Sequence, residues 1–368
     1  MSRLHTDPVR LLLDSLKIYS PSTQESRLAN YLSRTMEKLD YSRERIDGAG
    51  NVLGEIGRGK ARLLLCGHMD TVPGKLAVRT SKGTIYGRGA ADAKSPLCAL
   101  LLAGAASPDS GVRITFAGVT QEEGDGVGID RIMRGGSKFD YAVFGEPSGA
   151  SRVTVGYRGR VSIHVVVKTQ GGHAGSPWAH RSAFDEFSTM LSRLKEYEIS
   201  KAVQGDHFRS LSISPTLVRA GTFHNVVPNL CEATLDLRIP PSMRASDAVE
   251  EIRALAETKG DGISIELRAG KATEAYQADP NSKLVRAFQR AIILRLKAKP
   301  GLIRKTGTGD MNTFAHRNHA ECVTYGPGLS RTSHTDSEAV EIEDYLNCIE
   351  VLREAIRQLG SLDSGRQS

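Results

Sequence analysis

The sequence predicts a two-domain α/β protein, in which a domain with a mixed, largely parallel sheet is interrupted by a smaller inserted domain. Strand-like apolar runs alternate with helical stretches in residues 1–156 and again in 270–368, which is typical of an α/β domain. Residues 157–269 instead follow the order strand, helix, strand, strand, helix, strand, which is the ferredoxin-like βαββαβ order. A length of 368 residues is sufficient for two such domains.

The elements of the first domain are predicted from helix-start signals and from apolar runs. Asp7 and Pro8 are typical of an N-cap followed by the first helical residue. The sequence from Ser22 to Glu25 predicts a capping box at the start of a second helix. After these helices, strands are predicted at 51–56, 61–67, 112–119 and 140–144. Helices are predicted near 95–106 and 128–134.

The inserted domain and the C-terminal part are predicted in the same way. The insertion should contain strand 160–169, helix 181–196, strands 210–219 and 230–239, helix 246–259 and strand 262–268. The α/β pattern then resumes with a helix near 281–297, a strand near 320–325 and a closing helix at 341–359. This return indicates that 1–156 and 270–368 form one domain.

The composition is that of an ordinary globular protein. Hydrophobic residues make up 39% of the chain and charged residues 25%, which excludes wholesale disorder and fibrous repeats. Lys and Arg number 49 against 42 Asp and Glu, a formal net charge of +7 that is compatible with nucleic acid, anionic lipid, or an acidic partner or substrate. The aromatic content of 5%, without a basic run interleaved with aromatics, gives no independent support for nucleic acid.

Cysteine usage and apolar runs indicate the compartment. The five cysteines are odd in number, scattered and without CxxC spacing, which argues against a disulfide framework or a zinc ribbon. The N-terminal segment has no long apolar stretch and no small-residue cleavage site, and the longest apolar run, 97–106, is about half of what a bilayer span requires. We therefore expect a soluble, cytoplasmic protein that has no membrane partner.

Side chains that can bind a metal follow the ends of several predicted strands. His68 and Asp70 come directly after the apolar run 61–67 and share one face of an extended segment. Asp70 can therefore accept the spare ring N–H of His68 and fix its tautomer. Ligands of open α/β sheets bind at the carboxyl ends of the strands. Taken alone, however, such a His–Asp pair is more often the cap of a loop.

Five further candidates lie at strand ends or in loops before helices: Asp92, Glu122, Glu123, Glu146 and His334. Asp92 could instead cap the helix that starts near Ser95, and the adjacent glutamates could form a solvated acidic turn. Together, however, two histidines and several carboxylates at different strand ends form a convergent set. This mixed nitrogen and oxygen set suits zinc, cobalt or manganese rather than calcium, and two metals bridged by a carboxylate are the site used by many aminopeptidases.

The motifs together resemble those of the M20 metallopeptidase family, which includes acetylornithine deacetylases, succinyl-diaminopimelate desuccinylases and glutamate carboxypeptidases. Five motifs carry the resemblance in the same order, namely HxD, GRGxxDxK, EE, GEP and a late His, and it covers nearly the whole chain. The resemblance implies a metallopeptidase-like catalytic domain with an inserted lid and dimerisation domain. It therefore also implies a homodimer.

The resemblance implies a role for each candidate residue and two divalent metal ions, zinc or cobalt, in each subunit. Asp92 would bridge the two metals, Glu122 would be the general base on the attacking water, and Asp70 would orient His68. The remaining ligands would be His68 and Glu146 for one metal, and Glu123 and His334 for the other. The division of roles between Glu122 and Glu123 comes from the resemblance, because spacing alone cannot assign it.

In the inserted domain, the segment QGGHAGSP resembles the family segment whose histidine reaches into the active site of the partner subunit. His173 would then help to stabilise the oxyanion, although a loop histidine in a glycine-rich turn is the simpler interpretation. Four residues occupy positions where relatives have substrate-contacting side chains, although each could be a surface or structural residue: Arg158, Asn225, Arg238 and Thr308.

Within the family, GRGAADAKSPL, GEPSGASRVTVGYRGR and GTGDMNTF are most similar to hydrolases that act on a small acidic amino-group carrier protein. Those enzymes release lysine or ornithine from its C-terminal glutamate γ-carboxyl, in the last step of lysine synthesis through α-aminoadipate or of a parallel arginine route. A basic enzyme is electrostatically complementary to an acidic carrier. Two alternatives remain: a deacetylase of N-acetyl-lysine or N-acetylornithine or a desuccinylase, and a non-catalytic binding protein, against which the intact ligand set argues.

Overall fold

The computed structural model describes residues 6–257 and 262–364, and the chain divides into two compact units. The first unit takes the chain up to Gly156, from Ala278 to Ile303 and from Gly309 onward. The second unit consists of Tyr157–Gln277 and Arg304–Thr308.

The strands, numbered in chain order, are β1 (Ser42–Ile46), β2 (Val52–Ile56), β3 (Ala61–His68), β4 (Arg79–Ser81), β5 (Thr84–Tyr86), β6 (Val112–Val119), β7 (Tyr141–Gly145), β8 (Arg152–Tyr157), β9 (Gly159–Lys168), β10 (Gly172–His173), β11 (Ser212–Ala220), β12 (Val226–Val227), β13 (Leu230–Ile239), β14 (Ser264–Ala269), β15 (Tyr276–Gln277), β16 (Gly301–Lys305), β17 (Glu321–Thr324) and β18 (Ala339–Glu341). The strands predicted at 51–56, 61–67, 112–119 and 140–144 are confirmed as β2, β3, β6 and β7.

The helices are α1 (Pro8–Lys17), α2 (Ser26–Lys38), α3 (Lys94–Ala105), α4 (Val127–Arg134), α5 (Ala183–Ser200), α6 (Ala245–Ala256), α7 (Lys283–Leu296), α8 (Asp310–Asn318) and α9 (Ile342–Ser364). The helix predicted at 246–259 ends at Ala256, and its last two predicted residues lie outside the described part of the chain. Helix α8 was not predicted from the sequence. Within the described ranges, no helix combines the length and the apolar character that a bilayer span needs.

The first unit is built on a mixed sheet, as the sequence predicts. Its strands lie in the order β1-β2-β6-β3-β7-β17-β8, and β16 also pairs with β8. Strand β3 pairs in parallel with β6 and β7, and β17 pairs in parallel with β7. Strands β1, β2 and β8 run antiparallel to their neighbours. The neighbouring parallel strands β6, β3, β7 and β17 therefore end at the same edge of the sheet.

Helix α3 packs tightly against this sheet and is buried from Lys94 to Gly104. A Cβ atom added to Gly145 on β7 would lie 2.7 Å from Leu100 Cδ1, so a larger residue there would require the Leu100 side chain to move. At the start of the helix, Lys94 Nζ donates a hydrogen bond of 2.6 Å to the carbonyl of Ile18, just after α1. Burial lowers the pKa of Lys94 to about 8. These contacts fix the start of α3 and hence the loop before it.

The two predicted helix starts had different outcomes. The Asp7 cap is confirmed, because its Oδ1 accepts a 2.9 Å bond from Val9 N. The capping box from Ser22 to Glu25 is wrong. Helix α2 starts at Ser26, and the side chain of Glu25 makes no cap bond to it. Glu25 Oε1 instead accepts a 3.0 Å bond from Gln121 N, and Ser22 Oγ donates 2.7 Å to Asp70 Oδ2. Glu25 Oε1 also accepts a 3.1 Å bond from Thr23 N, so the predicted cap is replaced by one local and two long-range bonds.

The second unit has the predicted βαββαβ order, formed by the elements β9, α5, β11, β13, α6 and β14. Its antiparallel sheet has the strand order β11-β13-β9-β14, with α5 and α6 packed against a buried apolar core. A separate short ladder pairs β10 with β12 and places His173 opposite Val226. Strand β11 lies at one edge of the larger sheet, and its residues from Ser214 to Ala220 are exposed.

The boundary of the second unit differs from the predicted range 157–269. Its chain continues to Gln277, because Arg160 and Thr273 exchange two backbone hydrogen bonds of 2.8 Å. It also takes in Arg304–Thr308, where Thr308 Oγ1 donates a 2.7 Å bond to the carbonyl of Arg158. Hydrogen bonds between segments about 110 and 150 residues apart leave no signal in apolar periodicity.

Candidate metal centre

The parallel strands of the first unit bring most of the candidate residues to one edge of the sheet. His68 is the last residue of β3, and Glu146 directly follows β7. Glu122 and Glu123 follow the end of β6 within four residues. The cluster is completed from loops by Asp92, two residues before α3, and by His334.

His68 is buried and makes a different contact with each ring nitrogen. Its Nδ1 lies 2.9 Å from the backbone carbonyl of Asp70 and 3.5 Å from Asp70 Oδ1. Its Nε2 faces two carboxylates, Asp92 Oδ1 at 3.3 Å and Glu146 Oε1 at 3.6 Å. The carbonyl can only accept a hydrogen bond, so Nδ1 carries the hydrogen that donates to it, and Nε2 is the ring nitrogen that can bind a metal. Burial alone would lower the pKa of His68, but Asp70, Asp92 and Glu146 raise it well above its usual range.

Asp70 faces Nδ1 of His68 with its backbone carbonyl at 2.9 Å and with its carboxylate at 3.5 Å. The carboxylate is fully buried and also holds the chain that carries the adjacent glutamates. Its Oδ1 accepts a 3.1 Å bond from Glu122 N, and its Oδ2 accepts a 3.1 Å bond from Glu123 N. Although burial opposes ionisation, the hydrogen bonds and charge of His68 lower the pKa of Asp70. Asp70 is therefore an anion that fixes both glutamates relative to His68.

Asp92 lies between the two histidines. Its Oδ1 is 3.3 Å from His68 Nε2, and its Oδ2 is 3.6 Å from His334 Nε2. The alternative role as a helix cap is wrong, because the residue at the N-cap of α3 is Ala93 and no side chain caps the helix. Burial raises the pKa of Asp92, but the two histidines outweigh it and lower the pKa overall. Each oxygen of an ionised Asp92 thus faces a different imidazole.

Glu123 and His334 form the second contact of the cluster. Glu123 Oε1 lies 2.7 Å from His334 Nε2. The side chain of His334 is about half exposed, at 48%, whereas that of Glu123 is 13% exposed. His334 has a φ of +63°, in the left-handed region that residues other than glycine seldom adopt. Residues held in sparsely populated backbone conformations cluster at functional sites.

The donor set fits divalent metal ions. The ligand atoms of His68, Asp92 and Glu123 all lie within 4.8 Å of one another, and so do those of His68, Glu122 and Glu146. Imidazole nitrogens mixed with carboxylate oxygens are the ligands of zinc, cobalt and manganese in proteins. A cation would also offset the mutual repulsion of carboxylates gathered in a partly buried site. The residues present therefore match a metal centre.

Glu122 has the electrostatic surroundings of a proton acceptor. Burial raises the pKa of its carboxyl well above the usual range. The charge of His68 opposes this effect, and the negative charges of Glu146 and Asp310 raise the pKa further. A carboxylate with a raised pKa is a stronger base near neutral pH.

Asp310 is a member of the cluster that the sequence analysis missed. It is the first residue of α8, and its charge raises the pKa of both Glu122 and the buried thiol of Cys66. Next to it, Gly309 lies so close that an added Cβ would be 3.5 Å from Glu122 Oε1. The segment GTGDMN contains the signal, an acidic residue after two glycines, although Thr308 is the only residue of the segment among the predicted site residues.

The other predicted site residues belong to the second unit and are not members of this cluster. Arg158 is buried and donates to the carbonyls of Thr306 and Ser210, both at 3.1 Å. Arg238 donates a 2.6 Å bond to Asp236 Oδ1. The remaining three differ in exposure: His173 and Asn225 are exposed, and Thr308 is partly buried.

Comparisons with known proteins identify the family and its relatives. A model of the peptidase family M20/M25/M40 matches residues 64–358. A LysW-lysine/LysW-ornithine hydrolase from Sulfurisphaera tokodaii is 34% identical over 350 residues, which cover 93% of this chain and 94% of that protein.

Solved structures share the fold at low sequence identity. A tripeptidase from Staphylococcus aureus has a TM-score of 0.83 at 19% identity and covers 96% of this chain and 98% of its own. A dinuclear metal-binding peptidase of the M20 family from Bacillus subtilis has a TM-score of 0.76 at 15% identity, with coverages of 95% and 96%.

Proposed function

The chain belongs to the peptidase family M20/M25/M40, and we propose that it releases lysine or ornithine from an acidic amino-group carrier protein. The bond cut would be the amide between the amino acid and the γ-carboxyl of the C-terminal glutamate of the carrier. The observation that carries the hydrolytic chemistry is the position of Asp92, whose two oxygens face two different histidines at 3.3 and 3.6 Å.

We propose that two divalent ions, zinc or cobalt, bind in each subunit, and Asp92 would be the ligand that they share. The other ligands would be His68 and Glu146 for one ion, and Glu123 and His334 for the other. The 2.7 Å contact between Glu123 and His334 supports the second set. The contact of 3.6 Å between His68 Nε2 and Glu146 Oε1 supports the first. Bound ions of this kind lower the pKa of a water molecule and polarise an amide carbonyl.

In this mechanism Glu122 moves the proton. Its carboxylate accepts a proton from the attacking water, and it then donates that proton to the nitrogen of the departing amine. The raised pKa of Glu122 suits both steps, because the group must bind a proton and release it near neutral pH. Asp70 keeps Glu122 in place through the 3.1 Å bond to its backbone N–H. We propose that His173 of one subunit stabilises the oxyanion in the other, and that Arg158, Asn225, Arg238 and Thr308 contact the substrate.

Two observations support a carrier-bound substrate. The relative that is 34% identical over nearly the whole chain is named as a hydrolase of LysW-lysine and LysW-ornithine. The net charge of +7 suits an acidic partner, because opposite charges speed encounter and favour the correct orientation. The activity would form the last step of lysine synthesis through α-aminoadipate, or of a parallel arginine route.

The substrate is tested by kinetics on matched compounds. We expect the kcat/KM for carrier-bound lysine or ornithine to exceed that for N-acetyl-lysine, N-acetylornithine and N-succinyl-diaminopimelate by at least about 100-fold, because contacts with the carrier contribute binding energy that the small amides lack. Mass spectrometry of the intact carrier reports cleavage directly. Comparable efficiency on an acetylated or succinylated substrate would favour the deacetylase or desuccinylase alternative and remove the case for the carrier.

We also propose a homodimer formed through the second unit. Strand β11 is an unpaired edge of its sheet, and its exposed apolar side chains include Leu217 and Val218, at 58% and 44% exposure. Phe223, in the segment after this strand, is 62% exposed. Long apolar sheet edges are usually covered in stable proteins, and pairing with a second copy would cover this one.

Substitution at this edge tests the dimer. We expect the wild-type protein to elute as a dimer in size-exclusion chromatography with light scattering, and Leu217→Lys to elute as a monomer, because a buried lysine opposes pairing. Ser264→Lys on β14, the opposite edge of the sheet, is the matched control and should remain dimeric. A monomeric wild-type protein, or a dimeric Leu217→Lys variant, would contradict the proposed interface.

A further inference from the structure

Glu338 is a buried carboxylate that the mechanism above does not use. It lies four residues after His334 and directly before β18, and its side chain is fully shielded from solvent. A charged side chain is rarely buried to this extent unless it is paired and hydrogen-bonded. Its partners therefore indicate why it is buried there.

All of its partners belong to the loop that carries Asp92. Glu338 Oε1 accepts backbone hydrogen bonds from Gly89 N at 3.0 Å, Ala91 N at 3.1 Å and Asp92 N at 3.0 Å. Its Oε2 accepts a bond of 2.9 Å from Arg88 Nη1. Gly89 has a φ of +87°, which other residues rarely adopt and which lets successive N–H groups converge on one anion.

Arg88 extends this contact to the other ligand loop. Besides Glu338, it donates a 3.1 Å bond from Nη1 to the carbonyl of Thr335, the residue after His334. Its Nε donates a 3.1 Å bond to the carbonyl of Gly74. The Arg88–Glu338 pair thus connects the backbone of Asp92 with the backbone next to His334. These two loops are 246 residues apart in the chain at the Glu338–Asp92 contact.

We propose that Glu338 is a positioning residue for the metal centre, which sets the orientation of Asp92 relative to His334. Without its carboxylate, three buried N–H groups and one guanidinium would lose their acceptor, and the loop would have to move to find new partners. Replacing a group that hydrogen-bonds to a metal ligand typically lowers the metal affinity, because the ligand is then no longer held in its binding geometry. The inference rests on the proposed role of Asp92 as a ligand of both ions.

The first test is Glu338→Gln, which keeps the size of the side chain but removes its charge. We expect the affinity for Zn²⁺, measured by chelator competition, to fall about 10- to 100-fold. The absorption bands of the Co²⁺-loaded protein should shift, because they report ligand geometry directly. With Zn²⁺ in excess, kcat should fall more than KM rises, since Glu338 does not contact the substrate.

Glu354→Gln is the matched control. Glu354 is also a buried carboxylate of the first unit, with 3% exposure, and it is bound by Arg295 at 2.8 Å and by Gln358 at 2.7 Å. It lies on α9, and these two partners lie on α7 and α9 and not in either ligand loop. We expect Glu354→Gln to lower the melting temperature and to leave Zn²⁺ affinity and the Co²⁺ spectrum unchanged.

The outcomes decide between a positioning role and a purely structural one. Folded Glu338→Gln with wild-type Zn²⁺ affinity and Co²⁺ spectrum would overturn the inference, and so would equal losses of affinity in both variants. If Glu338→Gln does not fold, Glu338→Asp is measured in the same way, since it keeps the charge but shortens the reach. If neither variant folds, the carboxylate is structural and the inference is wrong. Asp92→Asn separates the two proposals, because retained metal binding there would contradict the metal assignment itself.

Discussion

Glu122→Gln is expected to lower kcat by about 10²- to 10⁴-fold while the metal content stays at the wild-type level. Glutamine has the same shape as glutamate but cannot accept a proton from the attacking water. The substitution keeps the backbone bond between Glu122 N and Asp70 Oδ1, so that the loop should retain its position. Steady-state kinetics on the carrier substrate and elemental analysis of the same preparation measure the two quantities together.

Metal content is decisive because Glu122 also has a ligand atom within 4.8 Å of those of His68 and Glu146. If Glu122→Gln loses metal as well as activity, Glu122 is a ligand and the assignment of base and ligand must be exchanged. Glu123→Gln is the paired variant. Because it changes the carboxylate that contacts His334 at 2.7 Å, we expect its main effect to be a lower metal content. Asp125→Asn, in the same loop but exposed, is the control and should keep both activity and metal.

The strand ends of the metal centre could be predicted because the controlling physics is local. An apolar run such as 61–67 indicates a buried strand, and the residue that follows it must then lie at the carboxyl edge of the sheet. This reasoning predicts the positions of His68, the last residue of β3, and of Glu146, directly after β7. Asp92 and His334 lie in loops, and their roles came from the order of the motifs rather than from periodicity.

The interactions that hold these residues in place could not be predicted, because they join distant parts of the chain. Ser22 was interpreted as part of a helix cap, yet its hydroxyl binds Asp70, which is 48 residues away. The sequence STQE fits a helix cap as well as a long-range hydrogen bond. Only the fold shows that Ser22 bonds to Asp70 and not to the start of the helix. The carboxylate of Asp70 lies 3.5 Å from His68 Nδ1, and it also accepts backbone bonds from Glu122 and Glu123 that the sequence does not predict.

The local charge at the metal centre could not be predicted from the sequence either. A net charge of +7 describes the whole chain, but the metal cluster gathers carboxylates that repel one another and raise the pKa of Glu122. The sequence does not show which acidic residues lie close together in space. Asp310 is not among the predicted site residues because it begins a helix that the sequence does not predict. Its effect on Glu122 arises only when α8 is placed beside the end of β6.

Asp92→Asn is expected to have the second large effect, the loss of the proposed pair of metal ions. Asparagine keeps the shape of the side chain and the backbone N–H bond to Glu338, but it removes the charge that both ions would share. Changing a group behind a metal ligand typically costs about 10- to 100-fold in affinity, so that losing the bridging ligand itself should cost more than about 100-fold for at least one ion. Activity should be abolished together with metal binding.

The stoichiometry of bound Zn²⁺ distinguishes a bridging ligand from an ordinary one. If Asp92 bridges two ions, Asp92→Asn should lower the metal content from two ions per chain to one or none, whereas His334→Ala should remove one ion and leave the ion at buried His68 in place. Asp109→Asn, an exposed change in the same unit, should retain both ions. Two tightly bound ions in Asp92→Asn would contradict the bridge, and one ion in the wild-type protein would show that a single metal performs the chemistry.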